Sequence, residues 1–290
     1  MREKIAVFGG KGSLVGIASE PESGVKTDIY PGIIFLNSGL LHRVGPNRLY
    51  VNLARNLALA GFVAMRFDLS GIGDSQRTDS LPYEESAIND IRLAMNFLSE
   101  TYGIRSFLLI GICSGADNAF QAAQIDPRVV GIVMVDGFSF TTAGYIMSSY
   151  LKSLLKFQSW RRLLSGKSEI LQFIKAKLTF LHSSDLGDSE PMWPVPNTDD
   201  IRAGITILAE NGLDLYFIFS AGGGAHYNFK RIYAKTIASL AELQRIHVKL
   251  FENTDHLFSP LYVQESLVKA ITGWIVHATR RKNKLIQMTI

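Results

Sequence analysis

Short apolar runs alternate with amphipathic stretches along most of the chain. A strand that buries both faces reads as one continuous apolar run, because neither face meets water. The stretches between the runs have helical spacing, most clearly where Leu49, Leu53 and Leu57 recur. The pattern predicts an α/β fold with a mostly parallel, doubly wound sheet. Its predicted strands are 33–36, 62–67, 107–110, 129–135, 215–219 and 247–251, and its predicted helices are 49–60, 88–98, 115–124, 229–243 and 263–277.

The first residues depart from this alternation. The short runs 4–8 and 14–18 flank a segment that contains Gly9, Gly10 and Gly12. Glycine supplies the backbone conformations that tight turns need. We therefore expect an antiparallel hairpin ahead of the parallel strands.

A second departure begins at residue 138 and ends at about 208. The alternation stops there, and aromatic and aliphatic side chains, including Tyr145 and Tyr150, crowd a basic stretch. Because strands resume afterwards, we interpret 138–208 as an insertion into a single domain of residues 1–290. We expect it to form a helical lid over the C-terminal edge of the sheet. Its apolar side chains either line an acyl pocket or pack the lid against the body.

Composition narrows the class of protein. The 290 residues carry 30 Lys and Arg against 26 Asp and Glu, a net charge of +4 that does not imply a nucleic-acid partner. A single cysteine excludes an intramolecular disulfide, and the N-terminus lacks a secretory signal pattern, so we expect a cytoplasmic protein. No apolar run reaches the roughly 18 residues that a membrane span needs. No histidine spacing suggests a metal site, and we expect no cofactor.

The single cysteine lies in the segment Gly111-Ile112-Cys113-Ser114-Gly115. This segment joins a predicted buried strand to an Ala-rich helix, which is the context of a nucleophile elbow. Glycines two residues to either side relieve crowding in such a turn, and the helix N-terminus favours a thiolate. Centring the motif on Ser114 instead would put Ile and Ala at the glycine positions. The spacing therefore selects Cys113 as the nucleophile; the alternative is an inert buried cysteine in a catalytically inactive relative.

Two further motifs resemble those of the α/β-hydrolase superfamily. Asp68-Leu69-Ser70-Gly71-Ile72-Gly73-Asp74-Ser75 is similar to its Asp-x-x-Gly-x-Gly-x-Ser turn, and Asn37-Ser38-Gly39-Leu40 follows the strand after which the superfamily places its oxyanion loop. The resemblance implies an oxyanion hole made by the backbone amides of Ser114 and Leu40, with Leu41 as a less favoured alternative.

The resemblance also implies a catalytic histidine after the last strand. His256 occupies that position, and its imidazole suits a general base that takes and returns a proton near neutral pH. Structural positions suit the other histidines better. His247 lies in a predicted strand, His277 in a helix and His182 in the insertion, whereas His42 and His226 lie in loops that border the site.

The acid of the triad departs from the commonest arrangement. After the strand 215–219 the chain reads Ser220-Ala221-Gly222, with no carboxylate to orient the histidine. Asp136, at the end of the preceding strand, occupies the alternative position that some branches of the superfamily use. We assign it as the acid; otherwise it only ends a strand or caps the next segment. Asp255 and Glu252 are poorer choices, because the neighbour of a loop histidine usually points elsewhere.

A cysteine nucleophile broadens the reactions to be considered. Cys113 would attack an acyl ester or thioester, and the acyl-Cys would then pass to water, an alcohol, an amine or a carbanion. The set of Cys, Asp and His is similar to that of Dieckmann cyclases, which release tetramates or pyridones from carrier proteins, and 36–75 resembles hydrolases found beside exosortase systems. Hydrolysis is the leading expectation, followed by cyclisation or acyl transfer. An inactive binding protein on the same fold is the rival class.

Positive charge provides two candidate contacts for such a substrate. Arg43 and Arg48 flank the predicted oxyanion loop and are either surface charges or a clamp for a carboxylate or phosphate. Residues 152–177 are also basic, which suits a solvated helix face or a docking patch for an acyl or peptidyl carrier protein.

Overall fold

A computed structural model gives an eight-stranded sheet flanked by helices, and it describes residues 1–24, 27–77, 80–138, 198–221 and 245–289. The strand order is β1-β2-β4-β3-β5-β6-β7-β8. The strands are β1 Arg2–Phe8, β2 Leu14–Glu20, β3 Gly32–Leu36, β4 Ala64–Phe67, β5 Phe107–Ile112, β6 Val129–Val135, β7 Asp214–Ser220 and β8 Ile246–Phe251.

The parallel part of the sheet runs from β4 through β3 to β8, and every adjacent pair in it is parallel. All residues of β3, β5 and β7 are buried, which explains why these segments read as continuous apolar runs. β1 and β2 form the expected antiparallel hairpin, and β2 pairs antiparallel with β4. The predicted α/β class with a mostly parallel sheet is therefore confirmed.

The helices of the described residues cover both faces of this sheet. They are α1 Leu49–Leu59, α2 Tyr83–Tyr102, α3 Ser114–Ile125, α4 Thr198–Glu210 and α5 Leu261–Thr289. α1 and α5 pack against each other and against one face, where their apolar side chains meet those of β3, β5, β6 and β7. α2 and α3 contact each other and pack against β3 and β5. Among these helices, none is long and apolar enough to cross a lipid bilayer.

The helix α4 corrects one bound of the expected insertion. It begins at Thr198, inside the range 138–208, yet Ile201, Ile205 and Leu208 are buried and the helix contacts α3. An apolar face that packs on the body makes α4 part of the α/β domain rather than of a lid. The expected lid itself, with Tyr145, Tyr150 and the basic stretch, lies outside the described residues, as does the helix predicted at 229–243.

Candidate active site

Cys113 lies at a sharp turn between β5 and α3, with φ of 56° and ψ of −125°. A non-glycine residue with positive φ is strained, and such strain persists only where the surrounding structure fixes it. The two flanking glycines are required by space. A Cβ on Gly111 would lie 2.1 Å from the backbone carbon of Gly115, and a Cβ on Gly115 would lie 2.5 Å from the carbonyl oxygen of Asn37. The geometry of the elbow therefore dictates the spacing seen in the sequence.

The turn places Cys113 at the N-terminal end of α3. Its carbonyl oxygen accepts the amide of Ala116 at 2.9 Å, which begins the helix, and its own amide donates to the Val135 carbonyl oxygen at 2.9 Å. The side chain is neither sealed in the core nor fully exposed. The partial positive charge of a helix N-terminus stabilises an anion at such a position. The turn therefore presents the Cys113 side chain at the N-terminal end of α3.

His256 lies in the loop between β8 and α5, near both other members of the predicted triad. Its Nδ1 is 2.8 Å from Oδ2 of Asp136, and the ring is close enough to Cys113 for that side chain to affect its pKa. The carboxylate of Asp136, and secondarily the sulfur of Cys113, raises the pKa of His256 to about 10. With Nδ1 facing the carboxylate, the other ring nitrogen is the one that serves the sulfur.

Asp136 follows β6 directly and has a φ of 48°, so it too is strained. Its side chain is only 1% exposed. Its carboxylate accepts two bonds from one residue: the Ser220 amide donates to Oδ1 at 2.7 Å, and the Ser220 hydroxyl donates to Oδ2 at 2.6 Å. A buried carboxylate needs such donors, because isolated charge is costly away from water. The structure thus gives the Asp136 carboxylate three hydrogen bonds, two with Ser220 and one with His256.

Ser220 is the functional residue that sequence reasoning missed. It ends β7, at the point where the superfamily usually carries its acid, and in the sequence this position shows only that a carboxylate is lacking. A hydroxyl at that position holds the carboxylate that the neighbouring strand supplies. One feature of the sequence could have indicated it: Ser220 is a polar residue at the end of the otherwise apolar strand β7. In the sheet, β7 pairs with β6, the strand that Asp136 follows.

The other two acids considered for the triad lie elsewhere. Asp255 accepts the amides of Leu257 and Ser259 at 3.2 and 2.9 Å, and the bond from Ser259 is the main cause of its lowered pKa. It therefore stabilises the loop that carries His256. Glu252 is exposed.

The predicted oxyanion loop forms a tight turn beside the elbow. The Gly39 amide donates to Oγ of Ser114 at 2.9 Å, and the Leu41 amide donates to the Ser38 carbonyl oxygen at 3.1 Å. Within the described residues, the amide of Leu40 between them has no acceptor. The engaged Leu41 amide is thus a poor oxyanion donor, whereas Leu40 remains suited to the role.

Arg43 differs from the expected substrate clamp. Its guanidinium pairs with the carboxylates of Asp68 and Asp74, and its backbone amide donates to Asp68 at 2.6 Å. Asp68 is fully buried and also accepts the side-chain amide of Asn37 at 3.1 Å. Arg43 therefore neutralises the Gly-rich turn and fastens the oxyanion loop to it, because a guanidinium already held by two carboxylates has little left to offer a substrate anion. Arg48 is exposed, and its clamp role stays a prediction.

The remaining histidines of the described residues lie apart from the triad. His42 is exposed in the oxyanion loop, His277 lies in α5, and His247 lies in β8, where its ring meets those of Tyr216 and Trp274. His182 and His226 fall outside the described residues. In the part of the chain that the structure describes, no three His, Cys, Asp or Glu side chains are grouped as metal ligands.

No protein-family model and no curated protein matches the chain. Solved structures match over nearly its whole length. DcsB in complex with its substrate analogue is 16% identical with a TM-score of 0.56, and the match covers 96% of this chain and 100% of that one. An α/β serine hydrolase without a lid from Xanthomonas campestris is 14% identical with a TM-score of 0.52, covering 96% and 94%. Proline iminopeptidase from Mycobacterium smegmatis is 11% identical with a TM-score of 0.58, covering 97% and 100%. Together with the strand order and the elbow, these likenesses show that the chain has the α/β-hydrolase fold.

Proposed function

We propose that this chain is a cysteine-dependent acyl hydrolase that acts on an acyl ester or thioester through a covalent acyl-Cys113 intermediate. One observation carries the proposal: a single imidazole, that of His256, is paired with a buried carboxylate at 2.8 Å and lies beside the thiol at the elbow. A base between a nucleophile and an orienting acid is the arrangement that activates a weak nucleophile. A merely buried cysteine needs neither the strained turn nor the paired histidine.

In the first half of the reaction, the proton of the Cys113 thiol is held on the ring nitrogen of His256 opposite Nδ1, where the raised pKa of His256 favours it. The sulfur of Cys113 attacks the substrate carbonyl carbon, forming a C–S bond while the carbonyl π electrons move to oxygen. The amides of Ser114 and Leu40 stabilise that oxyanion. When the carbonyl re-forms, the bond to the alkoxide or thiolate leaving group breaks, and His256 returns the proton to it.

In the second half, water replaces the leaving group. His256 removes a proton from the water as the oxygen attacks the acyl carbon, and the same two amides hold the second oxyanion. Collapse of this intermediate breaks the C–S bond, and Cys113 recovers its proton from His256. The products are a carboxylic acid and the free enzyme. Asp136 keeps Nδ1 protonated throughout, so that the opposite nitrogen is the one that accepts.

A thioester is the favoured substrate class within this proposal. Transfer from a pantetheine thioester to Cys113 exchanges one thioester for another, so the acyl group stays activated. An acyl or peptidyl carrier protein is accordingly a candidate partner, and a reducing compartment such as the cytoplasm would keep the thiol free.

Dieckmann cyclisation is the second candidate. The observation that favours it is the place of the acid: Asp136 follows β6, not β7, and is within 2.8 Å of His256. This early acid is the arrangement that resembles the cyclases. In that reaction a carbanion of the acyl chain, rather than water, attacks the thioester carbon and expels the Cys113 thiolate.

Alkylation tests the nucleophile. Cys113 is the only cysteine, so every iodoacetamide adduct on a thiol reports on it. We expect rapid labelling near neutral pH, loss of turnover in step with labelling, and an acyl adduct by mass spectrometry in a rapidly quenched reaction. Cys113→Ala should lose both adduct and turnover. Slow labelling, or full activity in Cys113→Ala, would contradict the proposal, and retained ligand affinity with no acyl adduct in the wild type would indicate a binding protein.

Product masses separate the two reactions. The wild type is incubated with a β-ketoacyl aminoacyl thioester, and the released acyl product is weighed. Hydrolysis gives a product whose mass is that of the substrate minus the thiol plus one water. A product that has lost the thiol without gaining water indicates ring closure. Turnover of aryl esters does not discriminate between the two reactions, because both begin with the same acyl-Cys113 intermediate.

A further inference from the structure

The hydroxyl of Ser114 has no part in the reaction described above, yet it joins two segments at the elbow. Its Oγ accepts the Gly39 amide at 2.9 Å, a bond between residues 75 positions apart. The hydroxyl of Tyr83, at the start of α2, lies near it and accepts the side-chain amide of Asn118 in α3 at 3.0 Å. The Ser114 hydroxyl thus links the oxyanion loop to the start of α3.

The turn that it holds is exposed. Leu40 is 88% exposed, and Gly39 has a φ of 56°. The two ends of the loop are fastened to Asp68, which accepts both the Asn37 side chain and the Arg43 amide. The bond from Gly39 to Ser114 ties the middle of the turn directly to the elbow.

This connection matters because the two oxyanion donors belong to different segments. One is the backbone amide of Ser114 at the start of α3, and the other is the amide of Leu40, next to Gly39 in the loop. Donors stabilise an oxyanion only when both lie about 2.7–3.1 Å from the position that it will occupy. A bond between the two segments within one residue of each donor keeps their separation fixed.

We propose that the Ser114 hydroxyl is a positioning group that sets the Leu40 amide at its working distance from the Ser114 amide. The inference rests on the proposed acyl chemistry and adds a residue whose side chain acts through the loop rather than on the substrate. Threonine presents the same hydroxyl from the same Cβ, whereas alanine removes it and leaves the backbone amide in place. The pair of variants therefore separates the hydroxyl from the amide.

The test compares Ser114→Ala with Ser114→Thr on an acyl thioester, using Ser266→Ala as the matched control. Ser266 makes one hydroxyl bond to its own helix at an exposed position of α5. We expect kcat of Ser114→Ala to fall about 10- to 50-fold, less than the roughly 10²- to 10³-fold cost of deleting a donor. KM should change little, because the Michaelis complex carries no oxyanion. Ser114→Thr should recover most of the loss. Hydrogen exchange of the peptide that spans Gly39 should accelerate in Ser114→Ala only.

Iodoacetamide labelling supplies a readout that does not depend on the oxyanion hole. Alkylation displaces iodide at a saturated carbon and forms no oxyanion, so Ser114→Ala should label Cys113 at the wild-type rate. Wild-type kcat in Ser114→Ala, unchanged exchange at Gly39, or parallel loss of labelling and turnover would overturn the inference. Absence of any acyl adduct or turnover in the wild type would instead refute the proposed function on which it rests.

Discussion

Replacing Asp136 by asparagine tests the triad at its least conventional member. In Asp136→Asn the side-chain carbonyl oxygen can still accept the Ser220 amide, which donates to Oδ1 in the wild type at 2.7 Å. The new NH₂ group then takes the place of Oδ2, where it faces Nδ1 of His256. Because an NH₂ group only donates, Nδ1 must accept, and the ring proton moves to the nitrogen that faces Cys113. That nitrogen can no longer take the thiol proton.

The size of the effect follows from this change of tautomer. In a serine protease triad, the same substitution lowers kcat about 10⁴-fold. A thiol is more acidic than a hydroxyl and depends less on its base, so we expect a loss of about 10³-fold here, or about 4 kcal/mol in activation free energy. Binding of the substrate does not involve Nδ1, and KM should change little.

The assay is steady-state turnover of an acyl thioester, together with NMR titration of His256. The wild-type pKa of about 10 should fall towards the ordinary value of 6.5 in Asp136→Asn, because the first cause of the shift is removed. Asp255→Asn is the matched control, since Asp255 accepts amides of the His256 loop and not the ring, and it should lose far less activity. A rate within about tenfold of the wild type, or an unchanged histidine pKa, would refute the assignment.

The same shift predicts how stability depends on pH. The pKa of His256 in the folded protein lies above its ordinary value of 6.5, so protonation of the ring stabilises the folded state. This contribution is fully present below pH 6.5 and is lost as the pH rises towards 10. The side chain is 40% exposed, so solvent screens the pair and we expect only about 1 kcal/mol. Urea midpoints measured across this window should fall less in Asp136→Asn than in the wild type.

Three further substitutions, two of them paired with a control substitution, test the surroundings of the site. Ser220→Ala should lower kcat about tenfold, because the backbone amide still holds the carboxylate but the hydroxyl bond is lost. The loss of about 1.4 kcal/mol is that of one neutral hydrogen bond. A wild-type kcat would show that the hydroxyl does not contribute to turnover. Gly111→Ala should fail to fold or lose several kcal/mol of folding stability, because its Cβ would lie 2.1 Å from backbone atoms. The control Gly273→Ala lies in α5, where a Cβ meets no atom within 4 Å, and it should stabilise the helix by up to about 1 kcal/mol. Arg43→Ala should cost about 3 kcal/mol in urea unfolding, since it strands a buried carboxylate, whereas exposed Arg48→Ala should change stability by less than about 0.5 kcal/mol. Stability changes in the reverse order would contradict this structural role of Arg43.

The strands and helices of the sheet could be predicted from the sequence because each is specified by the pattern of residues within it. A doubly buried strand must be apolar throughout, and β5 and β7 are recognised by that alone. The elbow is local only in part: Gly111 is required by contacts within the turn, whereas Gly115 is required by the end of β3, which lies beside the turn. The insertion bound was wrong for the opposite reason, since the apolar face of α4 acquires meaning only when its packing partner, α3, is known.

What the sequence alone determined was the α/β class, the elbow centred on Cys113 and the position of a histidine after the last strand. Tertiary structure alone decided the partners of those residues. His256 and Asp136 are 120 positions apart, and Ser220 is 84 positions from the carboxylate that it holds. The pairing of Arg43 with Asp68 and Asp74 likewise turns an expected substrate contact into a support for the oxyanion loop. Such contacts depend on which strands lie side by side and in what register, and residue patterns that span only a few positions carry no information about that.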